Sequence, residues 1–190
     1  STAVNTVTYK IGDTEYTRQS IASNPDDVIA MYITASRPEA ITIELELNLL
    51  RNAEVIASGN QLIYTGNAEF EKHGRGGVLF EGRIAVEIKG GTIKADGKKL
   101  LIDKATEVTL LSDVRTNYKN TTFAGYDYKQ KCKETIEAAA KKSFKTLRNT
   151  HVEDYAPLFS RVALSFGDNG KLNHLPNDQR WARVKAGESD

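Results

Sequence analysis

Two glutamates two residues apart, Glu44 and Glu46 in "AITIELELNL", come nearest in this chain to a pair of catalytic carboxylates. Glycoside hydrolysis uses such a pair, one carboxyl protonating the leaving oxygen and the other acting as base or nucleophile. The spacing argues against that role here. Side chains alternate faces along a strand, so Glu44 and Glu46 share a face with Thr42 and Asn48, while Ile41, Ile43, Leu45, Leu47 and Leu49 share the other. This is a strand with one wet face, and its acids are expected to be solvated rather than catalytic. The histidines His73, His151 and His174 lie in different segments without ligand spacing, and Cys132 has no cysteine or histidine neighbour, so neither a metal nor a cofactor is expected. His151, near the start of an expected helix, reads as a packing or capping residue. No nucleophile elbow, phosphate-binding loop or dinucleotide fingerprint occurs. The segment "EKHGRGGV", residues 71–78, holds His73 and Arg75 among three glycines. These two are the candidate substrate-binding residues, because such a loop could approach a sugar or a neighbouring domain; the plainer reading is a hairpin tip. "NTT" at Asn120 matches a glycosylation sequon, a match that arises often by chance.

The elements that must position these residues change character along the chain. From Val4 to about Leu111 the apolar period is two. "VIAMYITA" carries apolar side chains on both faces, as a buried strand does. "GVLFEGRIAVEIKGG" sets Val78, Phe80, Ile84, Val86 and Ile88 against Leu79, Glu81, Arg83, Glu87 and Lys89. Shorter strands fit "TVTYKI", "TEYTRQSIA", "AEVIAS", "QLIYTG", "LLIDKA" and "EVTLLSDVR". Turn signals at Gly12-Asp13, Asn24 to Asp27, Gly59-Asn60, Gly90-Gly91 and Asp96-Gly97 separate them. About nine or ten strands with no helices between them predict a mainly β fold, an antiparallel sandwich.

After "FAGYDYKQK" the period becomes helical. Cys132, Ile136, Ala139, Ala140, Phe144 and Leu147 form one face of a helix expected over 128–148, with Asp127 as its N-cap. The opposite face, with Lys129, Lys131, Lys133, Lys141, Lys142 and Lys145 beside Glu134 and Glu137, reads as solvated rather than as a nucleic-acid surface. Thr150 and Glu153 have capping-box spacing, predicting a second helix over 150–162 with the stripe Tyr155, Leu158, Phe159 and Val162, distorted near residue 153 by Pro157. That stripe is expected to dock on the sandwich or on a further domain. A third helix is expected in "LPNDQRWARVKAG", with Asn177 as cap and Gly187 as stop.

Composition narrows the field. The 190 residues suffice for one large domain or a domain plus a satellite, and need no staples. With 26 Lys plus Arg against 25 Asp plus Glu, no global charge points to nucleic acid or an anionic membrane. The single cysteine excludes an internal disulfide. No apolar run is long enough for a transmembrane helix, and "STAVNTVTYK" carries no leader pattern.

The order of the segments "STAVNTVTY", "YTRQSIASNPDDVIAMYITASRP", "GGTIKADGKKLLIDKATEVTLLSDVRTNY", "HVEDYAPLFSRVALSFG" and "LPNDQRW" resembles the N-terminal region of family 95 glycoside hydrolases, the α-L-fucosidase group related to family 65. The pattern His151, Asp154, Tyr155, Leu158, Phe159, Arg161, Val162 is its most specific part, followed by Arg18 to Ser23 with Pro25-Asp26. The resemblance covers essentially the whole chain. It implies a galactose-mutarotase-like β-supersandwich, then linker helices, an (α/α)6 barrel and a C-terminal β domain. Residues 1–112 would be the later part of the sandwich and 113–190 a helical linker to a barrel absent here. The family's acid and base belong to that barrel, so no catalytic residue carries over. The resemblance thus implies a non-catalytic module that packs on, and helps to shape the pocket of, an inverting glycoside hydrolase. Its partners would be its own barrel and, through it, a glycan, in a periplasmic or extracellular setting. A free-standing carbohydrate-binding sandwich is the alternative, and a generic interaction domain a third. Exposed aromatic platforms would mark the binding module, but the one tryptophan, Trp181, lies in the helical tail.

Overall fold

Alternation of apolar and polar residues, broken by turn-forming pairs, yields ten strands among the described residues, and the switch to helical spacing yields three helices there. The computed structural model describes residues 1–50, 53–68, 77–118, 126–164, 172 and 174–188. The strands are β1 (Asn5–Ile11), β2 (Thr14–Ser23), β3 (Val28–Ala35), β4 (Ile41–Glu46), β5 (Ala53–Ser58), β6 (Gln61–Ala68), β7 (Val78–Lys89), β8 (Thr92–Asp96), β9 (Lys99–Ala105) and β10 (Glu107–Thr116). The helices are α1 (Tyr128–Ala140), α2 (Phe144–Phe159) and α3 (Asn177–Lys185). The chain divides into two units, Ser1–Phe159 and Ser160–Asp190.

In the first unit, a seven-stranded sheet runs β1-β2-β3-β10-β7-β6-β5 and a three-stranded sheet runs β4-β9-β8. Every pairing among the described residues is antiparallel. The expected mainly β sandwich is therefore present, and its large sheet is buried on both faces at its centre. On one face Ile33, Leu62, Val86 and Val108 pack against Ile41, Leu100 and Ile102 of the small sheet. On the other, Ile21, Ala30, Ala85 and Leu111 pack against Ile136 and Ala139 of α1 and Phe144 and Leu147 of α2. The double-sided β3 was legible in its sequence; β8 was not. The turns on either side of "TIKAD" were marked, yet the five residues between them were too few for the alternation to register as a strand.

Two close approaches depend on glycine. Gly91 has a φ of +70°, and a Cβ there would lie 2.2 Å from the Asp103 carbonyl oxygen. Gly82 on β7 lies opposite Tyr64 on β6, and the tyrosine ring occupies the space a side chain would fill.

The helices depart from their expected limits. Asp127 caps α1 as expected, its carboxylate accepting from the N–H groups of Lys129 and Gln130. The helix stops at Ala140 rather than 148, with Lys141 as C-cap. Ser143 then starts α2, its hydroxyl accepting from the Thr146 N–H at 3.1 Å. The apolar spacing continues through the break, which is why one helix was expected where two stand. The capping box at Thr150 and Glu153 does not form. Thr150 is already inside α2 and donates its hydroxyl to the Thr146 carbonyl. Pro157 consequently falls near the end of α2 rather than in its first two turns, and its missing N–H removes one bond of the helical ladder. The stripe beyond it does not dock on the strands: Leu158 is 54% and Phe159 50% exposed. Tyr155 and Phe159 stack on each other instead, 5.6 Å between centroids.

The second unit holds α3. Asn177 is its first residue, and Pro176, which offers no side-chain bond, occupies the cap position expected for Asn177. Gly187, with a φ of +84°, follows the C-cap as expected. Among the described residues no helix is long and apolar enough to cross a membrane.

Candidate functional site

The acids singled out by sequence are tied down. Glu44 and Glu46, both on the outer face of β4, share one cation: Lys99 Nζ lies 2.5 Å and 3.1 Å from their carboxylates. His151 is buried, with Nε2 3.0 Å from the Thr2 carbonyl oxygen and its ring stacked on Tyr155. It is the packing residue the sequence implied, tying the start of the chain to α2. His73, Arg75 and Asn120 lie outside the described residues.

The middle of the polar face of β7, Glu81 and Arg83, is covered, while Leu79, Glu87 and Lys89 on the same face are exposed. Register sets Arg83 opposite Asp113 and Glu81 opposite Arg115, a checkerboard of four charges across β7 and β10. Both strands pack against α1. Glu81 is 5% exposed and pairs with Arg83 at 2.7 Å. Arg115 bonds Asp113 at 2.8 Å and reaches Asp27 in the β2–β3 turn. Next to Asp27, the buried Asp26 accepts from Ser23 and pairs with Lys142 at the α1–α2 junction. Removing one partner of such a pair leaves a charge without compensation, a strongly destabilising change. Cys132 sits over this cluster, its thiol directed at the Asp113 carbonyl. Burial, reinforced by Asp113, pushes its pKa up to about 12, so it is no nucleophile at neutral pH.

A cavity of about 610 Å³ lies between the large sheet and the α1–α2 junction. Its floor is one row across four strands: Gln19 on β2, Tyr32 on β3, Thr109 on β10 and Glu87 on β7. Phe144, the first residue of α2, stacks on Tyr32 with centroids 4.8 Å apart. The Tyr32 hydroxyl donates to Glu107, which also pairs with Lys89 at 2.7 Å. Burial and the Glu107 bond raise the Tyr32 pKa to about 12. The Lys89 bond and then the Tyr32 bond hold the Glu107 carboxyl below its ordinary range. A general acid needs the opposite shift, so Glu107 is suited to holding Tyr32 and not to donating a proton. Sequence reasoning missed this row because alternation assigns faces within a strand but not the register between strands. Among the described residues no group of three or more His, Cys, Asp or Glu side chains could hold a metal.

Comparison with known proteins places the fold. The model of the glycosyl hydrolase family 65 N-terminal domain matches residues 1–121. "Alpha-L-fucosidase 2" of Arabidopsis thaliana is 29% identical over an alignment covering 86% of this chain and 22% of its own length. "Probable alpha-fucosidase A" of Aspergillus niger is 28% identical, over 87% of this chain and 22% of its own length. The chain thus spans about a fifth of the length of these relatives. A solved structure titled "Putative kojibiose phosphorylase from human microbiome" superposes with a TM-score of 0.52 at 13% identity, covering 80% of this chain and 23% of that one, and supports the sandwich fold alone. With the family model spanning every strand, the chain belongs to the glycosyl hydrolase family 65 N-terminal domain family.

Proposed function

We propose that this chain is a non-catalytic module of a longer, family 95-like glycoside hydrolase that removes α-L-fucose or a similar sugar with inversion. The observation that carries the reading is the state of its acids. The buried carboxylates Asp26, Glu81 and Asp113 are each paired with a cation, and Glu107 is held ionised. Inverting hydrolysis requires a carboxylic acid that keeps its proton and a base across the sugar ring, roughly 6.5–9.5 Å away. No such pair stands out among the described residues, and the fucosidase-named relatives extend far beyond the matched region. In this reading residues 1–112 are the sandwich portion and 113–190 lead to a catalytic barrel. The half-exposed Leu158 and Phe159 then suit a surface that the barrel covers. His73 and Arg75, between β6 and β7 in sequence, are the proposed contribution to the rim of the sugar pocket.

The test compares the 190-residue chain with the full-length protein on an aryl α-L-fucoside. The expected result is turnover by the longer protein alone, with free fucose binding the chain no better than millimolar. Turnover by the purified chain, abolished by changing one of its carboxylates, would overturn the reading.

A further inference from the structure

The cavity at the α1–α2 junction contains two cations without an ion-pair partner among the described residues. Four basic residues line it, and two are neutralised: Lys89 by Glu107 and Lys142 by Asp26. Glu87 is held by the Asn60 amide at 3.1 Å. Lys145 and Arg148 of α2 have no ion-pair partner among the described residues, and the Arg148 Nε is shut away from solvent without an acceptor. Together with Glu87 they leave the lining with one unit of positive charge. That Nε is as closed to a ligand as it is to solvent; the other N–H groups of the Arg148 guanidinium have no acceptor among the described residues, and their planar fork matches a carboxylate. The rest of the wall has a different chemistry. Tyr32, Phe144, Leu111 and Ala140 present apolar surface, while Gln19 and Thr109 present groups that bond hydroxyls. At about 610 Å³ the cavity is within the range of small-molecule sites.

We infer that this cavity binds an acidic sugar, with the carboxylate of a uronate on Arg148 and Lys145 and its ring against the Gln19–Tyr32–Thr109 row. The charge balance favours a monoanion over a doubly charged group, and the mixed wall favours a pyranose over a bare ion. The site is separate from the proposed fucosidase pocket, so either assignment can fail while the other stands.

Nuclear magnetic resonance titration of the 190-residue chain tests it with D-glucuronate, D-glucose and acetate. D-Glucuronate is expected to saturate shifts at the amides of Tyr32, Phe144 and Arg148, with D-glucose and acetate each at least about ten-fold weaker. Arg148→Gln should weaken D-glucuronate about ten-fold or more with an unchanged circular dichroism spectrum, and Lys145→Gln several-fold, while Lys133→Gln on α1 leaves it unchanged. Shifts confined to other residues, D-glucose binding as well as D-glucuronate, or an unaltered affinity in Arg148→Gln would overturn the site. Acetate binding as tightly as D-glucuronate would overturn its assignment to a sugar.

Discussion

Replacing Gly82 with alanine tests the packing of the sheet at its tightest point. A Cβ at Gly82 would stand 2.0 Å from Tyr64 Cζ, 2.3 Å from its hydroxyl oxygen and 2.4 Å from Cε2, distances no side chain tolerates. The tyrosine ring must swing away, and what it leaves sets the cost. It stops packing on Phe80, whose ring is tilted 58° at a centroid distance of 6.4 Å, a contact worth about 0.5–1.5 kcal/mol. Removing a glycine from a strand returns about 0.5–1 kcal/mol, and imperfect repacking around the displaced ring takes back about as much or more. The net loss is about 1–2 kcal/mol, a drop of about 2–8 °C in Tm for a unit of this size. Urea denaturation of the double-mutant cycle Gly82→Ala with Tyr64→Ala isolates the cause. In the Tyr64→Ala background the Gly82→Ala penalty should fall below about 0.5 kcal/mol. A wild-type midpoint for Gly82→Ala, or the same penalty with and without Tyr64, would refute the reasoning.

Three further outcomes are expected. Ser143→Ala should lower stability by about 1 kcal/mol, because Ser143 caps α2, whereas Thr150→Ala should cost less than half of that in the same urea series. Leu147→Ala, at a fully buried position, should cost about 2–5 kcal/mol, against less than about 1 kcal/mol for the half-exposed Phe159→Ala; equal losses would show that Phe159 docks on the unit in solution. Glu107 has a depressed carboxyl pKa in the folded state, so its contribution is present above the ordinary value of 4.5 and is lost as pH falls through the lowered folded value. The fall in urea midpoint between pH 6 and pH 3 should therefore be smaller in Glu107→Gln, and an identical pH dependence would count against the Tyr32–Glu107–Lys89 arrangement.

Sequence alone revealed the faces of the strands and the register of none. Ile41, Ile43 and Leu45 point inward and Glu44 and Glu46 outward, as alternation requires, because each face is a local property. Asp127 was recognisable as a cap for the same reason: its partners lie two and three residues ahead. Ser143 has equally local partners, but the apolar spacing from Ala139 and Ala140 to Phe144 and Leu147 runs through the break and hid it. The charges under α1 were in view as Glu81, Arg83, Asp113 and Arg115. That they form a checkerboard follows only from β7 lying beside β10, with two strands between them in sequence. The cavity row needs three registers at once, so Tyr32 and Arg148 carried no signal that single-strand patterns could detect.

The pairing of β3 with β10 also governs how the chain reaches its native state. Thr34 meets Glu107 and Ile29 meets Ser112, with six strands intervening in sequence. The centre of the large sheet therefore closes late, against the loop entropy of a long segment, and folding belongs to the slow millisecond-to-second class. During synthesis β3 stays an open edge until β10 leaves the ribosome, and its Val28, Ala30, Met31 and Ile33 are apolar on both faces. Helices α1 and α2 cannot cover that surface sooner, since both follow β10 in the chain. This interval, rather than the finished fold, is where the chain is most exposed to aggregation and most in need of a chaperone.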